Sequence, residues 1–161
     1  MHAWVGLGGN LGDAAATLRA ALHDLDRLPE TRLLRASRLY RTAAWGVVDQ
    51  PDFINAAALL ETRLPPRELL DAMLGIERAF GRERDQDGER WGPRVLDLDL
   101  LLYDSAVIDE PGLRVPHPHL HERTFALLPL VEITPDAFIP GRGAAADALA
   151  ALDSSAIEDV G

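Results

Sequence analysis

Residues 95–103 read VLDLDLLLY, a run in which leucine and aspartate alternate. Side chains alternate between the two faces of a β-strand, so Asp97 and Asp99 are expected to share one face. The other face carries leucines (Leu96, Leu98, Leu100) and needs a layer of helices to cover it. The acidic face needs partners, because a buried carboxylate is costly unless it is paired. The run therefore predicts a sheet with helices on one face and, on the other face, groups that pair with the two carboxylates.

The rest of the chain alternates between strand and helix patterns around this run. Strands are predicted at residues 2–7, 31–41, 53–62 and 95–103. One helix is predicted from the cap at Asp13 to about Leu28, and a second from about Arg67 to Phe80, opened by Pro65 and Pro66 and ended by Gly81. The order strand, helix, strand, strand, helix, strand predicts an α+β fold with a ferredoxin-like βαββαβ core, an antiparallel sheet with helices packed on it.

Further elements are predicted after this core as C-terminal additions. They are a short hairpin at residues 106–115 and helices near 121–128 and 143–152. The tail SSAIEDVG, residues 154–161, is expected to fray.

Length and composition predict a soluble cytoplasmic protein of one domain. The 161 residues suit a single domain, 1–161, and 47% of them are apolar. We expect no signal peptide and no membrane span, and therefore a cytoplasmic location. Cysteine is absent, which excludes disulfides and thiolate metal sites.

The charged residues exclude several functions. The formal net charge is −10, so a nucleic-acid or anionic-membrane surface is not expected. All 16 basic residues are arginine. Without lysine the chain cannot be a P-loop nucleotidase or a protein kinase, and it cannot form a Schiff base. An anionic substrate must therefore be received by arginines or by a metal ion.

The aspartate pair and the loop before it each allow two interpretations. Carboxylates about 6–7 Å apart along a strand can bracket Mg²⁺ ions, although a solvated sheet face is the simpler alternative. The loop holds arginines suited to phosphate, namely Arg82, Arg84, Arg90 and Arg94. Acidic neighbours in the same loop cancel their charge, so a salt-bridged surface loop is the alternative.

Several motifs, in order, resemble one enzyme family. They are GLGGNLGD near the start, YRTAAWGVVDQPDFINAAALLET at 40–62, LLDAMLGIERAFGRER, RWGPRVLDLDLLLY at 90–103, and LRVPHPHLHERTFALLPLVEI at 113–133. Together they resemble the 6-hydroxymethyl-7,8-dihydropterin pyrophosphokinases of folate biosynthesis. The resemblance implies the same ferredoxin-like fold. It also implies transfer of pyrophosphate from ATP to the pterin hydroxymethyl group with release of AMP, using two Mg²⁺ ions, in a monomer.

The resemblance also implies roles for individual residues. The catalytic set is Arg82, Arg94, Asp97 and Asp99, and the two aspartates are the metal ligands. The implied pterin contacts are Thr42, Ala43, Trp45, Phe53 and Asn55, with Phe53 stacking on the ring and Asn55 reading its amide edge. The implied ATP contacts are Glu77, Arg84, Trp91, Arg94, Leu100, His117 and Arg123. The loop with Arg82 and Trp91 is expected to close over the substrates.

Other interpretations stay open at the level of sequence. Spacing alone favours Phe53 as a core residue, and HPHLH could bind a metal, although it lacks acidic or cysteine neighbours. A D-x-D nucleotidyl- or glycosyltransferase, an RNA-binding ferredoxin-like module and a member of the family that no longer turns over are the alternatives. The chain also departs from the family pattern at Gly9, Ala43, Ala44 and Pro118.

Overall fold

The computed structural model describes residues 1–43, 51–81 and 95–161. In chain order the elements are β1 (His2–Gly9), α1 (Ala14–Asp26), β2 (Thr31–Ala36), β3 (Tyr40–Thr42), β4 (Phe53–Thr62), α2 (Pro66–Ala79), β5 (Asp97–Tyr103), β6 (Ile108–Glu110), β7 (Leu113–Val115), α3 (Thr124–Ile133), β8 (Phe138–Ile139), β9 (Gly143–Ala144), α4 (Ala145–Ala150) and β10 (Glu158–Asp159). A single 3₁₀ turn at Leu120–Glu122 precedes α3.

The main sheet has the antiparallel arrangement that the order of elements predicts. Within the described residues its strands follow the order β10-β3-β4-β1-β5, and β2 also pairs with β4. Strands β4 and β5 both run antiparallel to the central strand β1. The α+β, ferredoxin-like prediction is confirmed, and no helix in these parts of the chain is long and apolar enough to cross a membrane.

The first two helices pack on one face of the sheet because each carries an apolar stripe at helical spacing. In α1 the buried positions include Leu18, Ala21 and Leu25, and in α2 they include Leu69 and Met73. They meet Leu96, Leu98 and Leu100 of the acidic run, which are buried in the same cluster. Burial of each leucine contributes about 1.5–3 kcal/mol.

The opposite face is partly covered by the C-terminal additions. Helix α3 packs on β4 and β1, and Leu127 and Leu130 are fully buried there with Leu101. Trp4 of β1 joins this second layer and donates a 2.9 Å hydrogen bond from Nε1 to Thr134 Oγ1. The acidic face is therefore bounded by a helix rather than left entirely to solvent.

The helix boundaries follow local signals. Asp13 caps α1 by accepting a 3.1 Å hydrogen bond from Ala16 N. Pro66 is the first residue of α2, and Gly81 follows its end with φ +89°. The predicted helix near 121–128 is shifted, because Leu120–Glu122 forms a 3₁₀ turn and α3 continues through Pro129 to Ile133. Burial of its apolar residues outweighs the hydrogen bond that proline removes.

Two further predictions need correction. The single strand expected over 31–41 is divided into β2 and β3, and at the break Ser37 Oγ accepts a hydrogen bond from Ala57 N. The tail does not fray. Asp159 forms a 2.6 Å ion pair with Arg38, Glu158 forms one of 2.8 Å with Arg41, and β10 pairs with β3. The open edge of β3 supplies backbone partners that a sequence pattern does not reveal.

Candidate active site

The centre of the acidic face is built around two glycines of β1. Gly8 lies opposite Asn55 of β4 on one side and opposite Asp97 of β5 on the other. Gly6 lies opposite Asp99 in the same way. Residues paired across a sheet point to the same face, so the two carboxylates and the Asn55 amide project into one space. The glycines form its floor without adding side chains.

The aspartates are half-buried, and the strand that carries them is secured at its edge. Glu77 of α2 is 2% exposed, and its carboxylate accepts a 2.7 Å hydrogen bond from Leu98 N. Leu98 stands between Asp97 and Asp99. The structure thus places Glu77 against the backbone of the acidic segment, and its predicted contact with ATP stays a prediction.

His117 faces the aspartates as a neutral imidazole. Its backbone N donates to Leu101 O at 2.9 Å, and its Nδ1 accepts from His119 N at 3.2 Å. The Nε2 atom therefore carries the proton, 3.9 Å from Asp99 Oδ1, beyond hydrogen-bond distance. Burial, followed by the charge of Arg123 and by His119, lowers the pKa of His117 to about 4, against the opposing charge of Asp97.

Several of the predicted pterin residues cluster beside Asp97 and Asp99. Asn55 is 5% exposed, and its Nδ2 donates a 3.0 Å hydrogen bond to Thr42 Oγ1. Phe53 is two residues before Asn55 on the same strand face and is half-buried rather than a core residue. Ala43 follows β3 and is exposed. The β3–β4 ladder, in which Thr42 pairs with Phe53, brings these side chains together.

Two cavities meet at Asp99 and His117. The larger one, about 530 Å³, lies between α2, β5 and the β6–β7 hairpin, and Leu70, Leu74 and Leu100 form apolar parts of its wall. The smaller one, about 40 Å³, is lined by the glycine floor, Asn55, Asp97, Arg123 and Phe125. Asp99 and His117 line both. The predicted residues Leu100, His117 and Arg123 are thus all at the site.

Phe125 is one of the described site residues that the sequence interpretation missed, as are Leu70, Leu74 and Gly8. Phe125 is the second residue of α3 and lies under Arg123, whose guanidinium carbon is 5.7 Å from the ring centroid. An aromatic ring two residues beyond a predicted ATP contact was the available signal. Trp45, Arg82, Arg84, Trp91 and Arg94, and with them the predicted loop closure, lie outside the described residues.

The histidine tract HPHLH does not gather into a metal site in the described parts of the chain. His119 Nδ1 and His121 Nε2 contact Glu122 at 3.5 and 3.1 Å, while His117 points to Asp99. No group of three or more histidine, aspartate or glutamate side chains there could hold an ion.

Comparison with known proteins identifies the family of this chain. A family model described as 7,8-dihydro-6-hydroxymethylpterin-pyrophosphokinase (HPPK) matches residues 4–135. The chain is 46% identical over 159 residues to the 2-amino-4-hydroxy-6-hydroxymethyldihydropteridine pyrophosphokinase of Methylorubrum extorquens, covering 99% of this chain and 98% of that protein. Its counterpart in Pseudomonas aeruginosa is 45% identical over 155 residues, covering 96% and 94%.

Solved structures share the fold at low identity. An HPPK-DHPS protein of Plasmodium falciparum aligns with a TM-score of 0.74 and 15% identity, covering 93% of this chain and 44% of that one. The chain thus spans less than half of that solved protein, and the likeness supports the fold alone. From the family model and the two full-length relatives, the chain belongs to the 7,8-dihydro-6-hydroxymethylpterin pyrophosphokinase family, whose activity is pyrophosphoryl transfer from ATP to hydroxymethyldihydropterin in folate biosynthesis.

Proposed function

We propose that the two cavities divide the substrates of this reaction, with ATP in the larger and the amide edge of the pterin at the smaller, whose volume of about 40 Å³ has room for a ring edge and not for a whole pterin. The observation that carries the proposal is that Asp99 and His117 line both cavities. A phosphate chain leaving the larger cavity would pass over these side chains before it reached the smaller one. The reacting phosphorus would then lie between the two substrates.

The larger cavity suits a nucleotide. Its volume of about 530 Å³ is in the usual range for small-molecule sites. Leu70, Leu74 and Leu100 offer an apolar wall for the base, while polar side chains of the β6–β7 hairpin stand at the rim. His117, neutral at physiological pH, can donate from Nε2 to a phosphate oxygen. Roles for Arg84, Trp91 and Arg94 remain predictions from the sequence.

Asp97 and Asp99 are suited to Mg²⁺ that arrives with ATP. Magnesium usually keeps several waters and is held by one or two carboxylates together with substrate phosphates. Two half-exposed carboxylates on one strand face, with no third protein ligand in the described residues, match that pattern. Two bound ions would neutralise the triphosphate and align the attacking and leaving oxygens.

The described residues contribute chiefly by positioning. The pterin hydroxymethyl oxygen attacks the β-phosphorus, a new oxygen–phosphorus bond forms, the bond to the α-phosphate oxygen breaks, and AMP leaves. Asn55, held by Thr42, would orient the pterin edge, and Phe53 and Phe125 offer rings for its faces. Arg123 would balance phosphate charge. Positioning of this kind accounts for much of the rate in phosphoryl transfer.

Broader features of this proposal follow from the sequence. A monomer as the active unit and residues 1–161 as one domain stay predictions from the sequence. The formal net charge of −10 supports small-molecule substrates and argues against a nucleic-acid partner. A cytoplasmic location stays a prediction.

The division of the substrates is testable by calorimetric titration with pterin and with a non-hydrolysable ATP analogue. Asn55→Ala should weaken pterin binding about tenfold or more and leave analogue binding nearly unchanged, because an unpaired buried group costs roughly 1–3 kcal/mol. Leu74→Ala should do the reverse, through loss of apolar contact in the larger cavity. Equal losses for both ligands in both variants would contradict the division.

A further inference from the structure

We infer that Gly8 is a positioning residue for pterin recognition. Because glycine has no side chain, the Asn55 amide can lie directly against residue 8 in the position that it has in this structure. This inference rests on the proposed role of Asn55 in the pterin site. A Cβ added at Gly8 would lie 3.2 Å from Asn55 Oδ1, closer than ordinary van der Waals contact. Its next neighbour would be the carbonyl oxygen of Ile54, at 3.8 Å.

The Asn55 amide cannot move away without consequence. Its nitrogen is held from the other end by the 3.0 Å hydrogen bond to Thr42 Oγ1, and the side chain is almost fully buried. A methyl group pressing on Oδ1 would therefore rotate the amide or lengthen the bond to Thr42. Recognition of a ring edge by paired hydrogen bonds tolerates only about 0.5 Å of displacement. The effect would appear in pterin binding.

The effect of a substitution at Gly8 would come from its side chain and not from its backbone. Gly8 lies inside β1 and is paired on both sides, and its φ lies outside the positive range that disfavours other residues. Alanine can adopt this strand conformation, and replacing glycine also reduces the freedom of the unfolded chain. We therefore expect Gly8→Ala to fold.

Gly6 provides a matched comparison. It lies two residues away on the same strand and face, and it also stands opposite an aspartate, Asp99. The three atoms nearest to a Cβ there all belong to the Leu101 side chain, at 3.4–3.6 Å, so Asn55 is not its closest neighbour as it is at Gly8. Gly6→Ala adds the same methyl group to the same floor, so any general narrowing of the cavity is shared by both variants.

The experiment compares Gly8→Ala, Gly6→Ala, Asn55→Ala and the double variant of Gly8 and Asn55. Dissociation constants for pterin and for a non-hydrolysable ATP analogue are measured by calorimetry, and the Asn55 side-chain amide is followed by NMR in ¹⁵N-labelled protein without ligand. We expect Gly8→Ala to weaken pterin binding about tenfold, roughly the loss of one hydrogen bond, with the analogue within twofold. It should also shift the Asn55 amide resonances.

The comparisons separate the possible causes. Gly6→Ala should leave the Asn55 resonances in place and weaken pterin binding less, and the double variant should bind pterin about as Asn55→Ala does. Equal losses in the two glycine variants, unshifted Asn55 resonances in Gly8→Ala or additive losses in the double variant would each overturn the inference. If Gly8→Ala does not fold, Thr42→Val tests the same amide by removing its anchor. Because Thr42 is itself an implied pterin contact, the Asn55 resonances are read beside the affinity, and either unshifted resonances or unchanged pterin affinity overturns the inference.

Failure of the proposed site has its own signature. If Asn55→Ala leaves pterin affinity unchanged, the proposed role of Asn55 is wrong. If Asn55→Ala weakens pterin binding and Gly8→Ala does not, the site stands and only the inference about Gly8 is overturned.

Discussion

Replacing Glu77 with alanine tests how the fold aligns the two aspartates. The Glu77 carboxylate is 2% exposed and accepts its 2.7 Å hydrogen bond from Leu98 N, between Asp97 and Asp99. In the described sheet β5 is an end strand whose other edge pairs with β1. The glutamate therefore supplies an acceptor that no neighbouring strand of that sheet provides.

The expected cost follows from that contact. A buried backbone donor left without its acceptor costs about 1–3 kcal/mol. For a domain of this size, each kcal/mol lowers the melting temperature by about 2–4 °C, so Glu77→Ala should lower it by roughly 2–12 °C. Glu77→Gln keeps an acceptor oxygen and should recover part of the loss. With β5 less constrained, more Mg²⁺ should be needed for half-maximal turnover.

The assay combines thermal unfolding with a Mg²⁺ titration of AMP formation. Glu68→Ala is the matched control, because Glu68 is on the same helix, in its first turn, and is exposed. Its loss should cost only about 0.3–1 kcal/mol through the helix dipole. The reasoning about Glu77 is refuted if Glu77→Ala has the same melting temperature as Glu68→Ala and needs no more Mg²⁺ for half-maximal turnover than the wild-type protein.

Two further outcomes are expected. Asp97→Asn and Asp99→Asn should each lower turnover about 1000-fold or more while circular dichroism stays unchanged, since each removes a carboxylate from the proposed Mg²⁺ site; near-normal turnover at saturating Mg²⁺ would contradict the metal assignment. Burial, followed by the hydrogen bond to Glu132, raises the pKa of Tyr40. Its contribution to stability is therefore complete below its unfolded pKa, near 10, and is lost as pH rises above it. Between pH 9 and 11, the free energy of unfolding measured with urea should fall less in Tyr40→Phe than in the wild-type protein. An identical fall with pH in the two proteins would contradict this.

The family assignment decides between the functional alternatives that the sequence left open. It contradicts a nucleotidyl- or glycosyltransferase and an RNA-binding module. The D-x-D pair alone did not separate these possibilities, because carboxylates at that spacing suit several reactions of nucleotides. The surrounding motifs, spread over most of the chain, did separate them.

Sequence periodicity alone was enough for the core of the fold. Alternation in VLDLDLLLY and helical spacing in α1 and α2 each depend on neighbours close in the chain, so these elements could be predicted locally. Strand β4 was likewise predicted at its observed bounds, 53–62. The caps at Asp13 and Gly81 were predictable for the same reason. The predictions that were wrong concern contacts between residues far apart in the chain. The division of residues 31–41, the extension of α3 through Pro129 and the pairing of β10 with β3 all depend on distant partners.

The candidate site shows the same difference between what local sequence predicts and what depends on distant contacts. Residue type and spacing singled out Asp97 and Asp99 as possible metal ligands, and the family resemblance implied Asn55 as a pterin contact and His117 as a phosphate contact; these roles stay predictions. Only the tertiary structure brought Gly8 between Asn55 and Asp97, since strand register is a property of paired chains and not of either strand alone. It also turned Glu77 onto the backbone of Leu98, because that contact exists only when α2 packs beside β5.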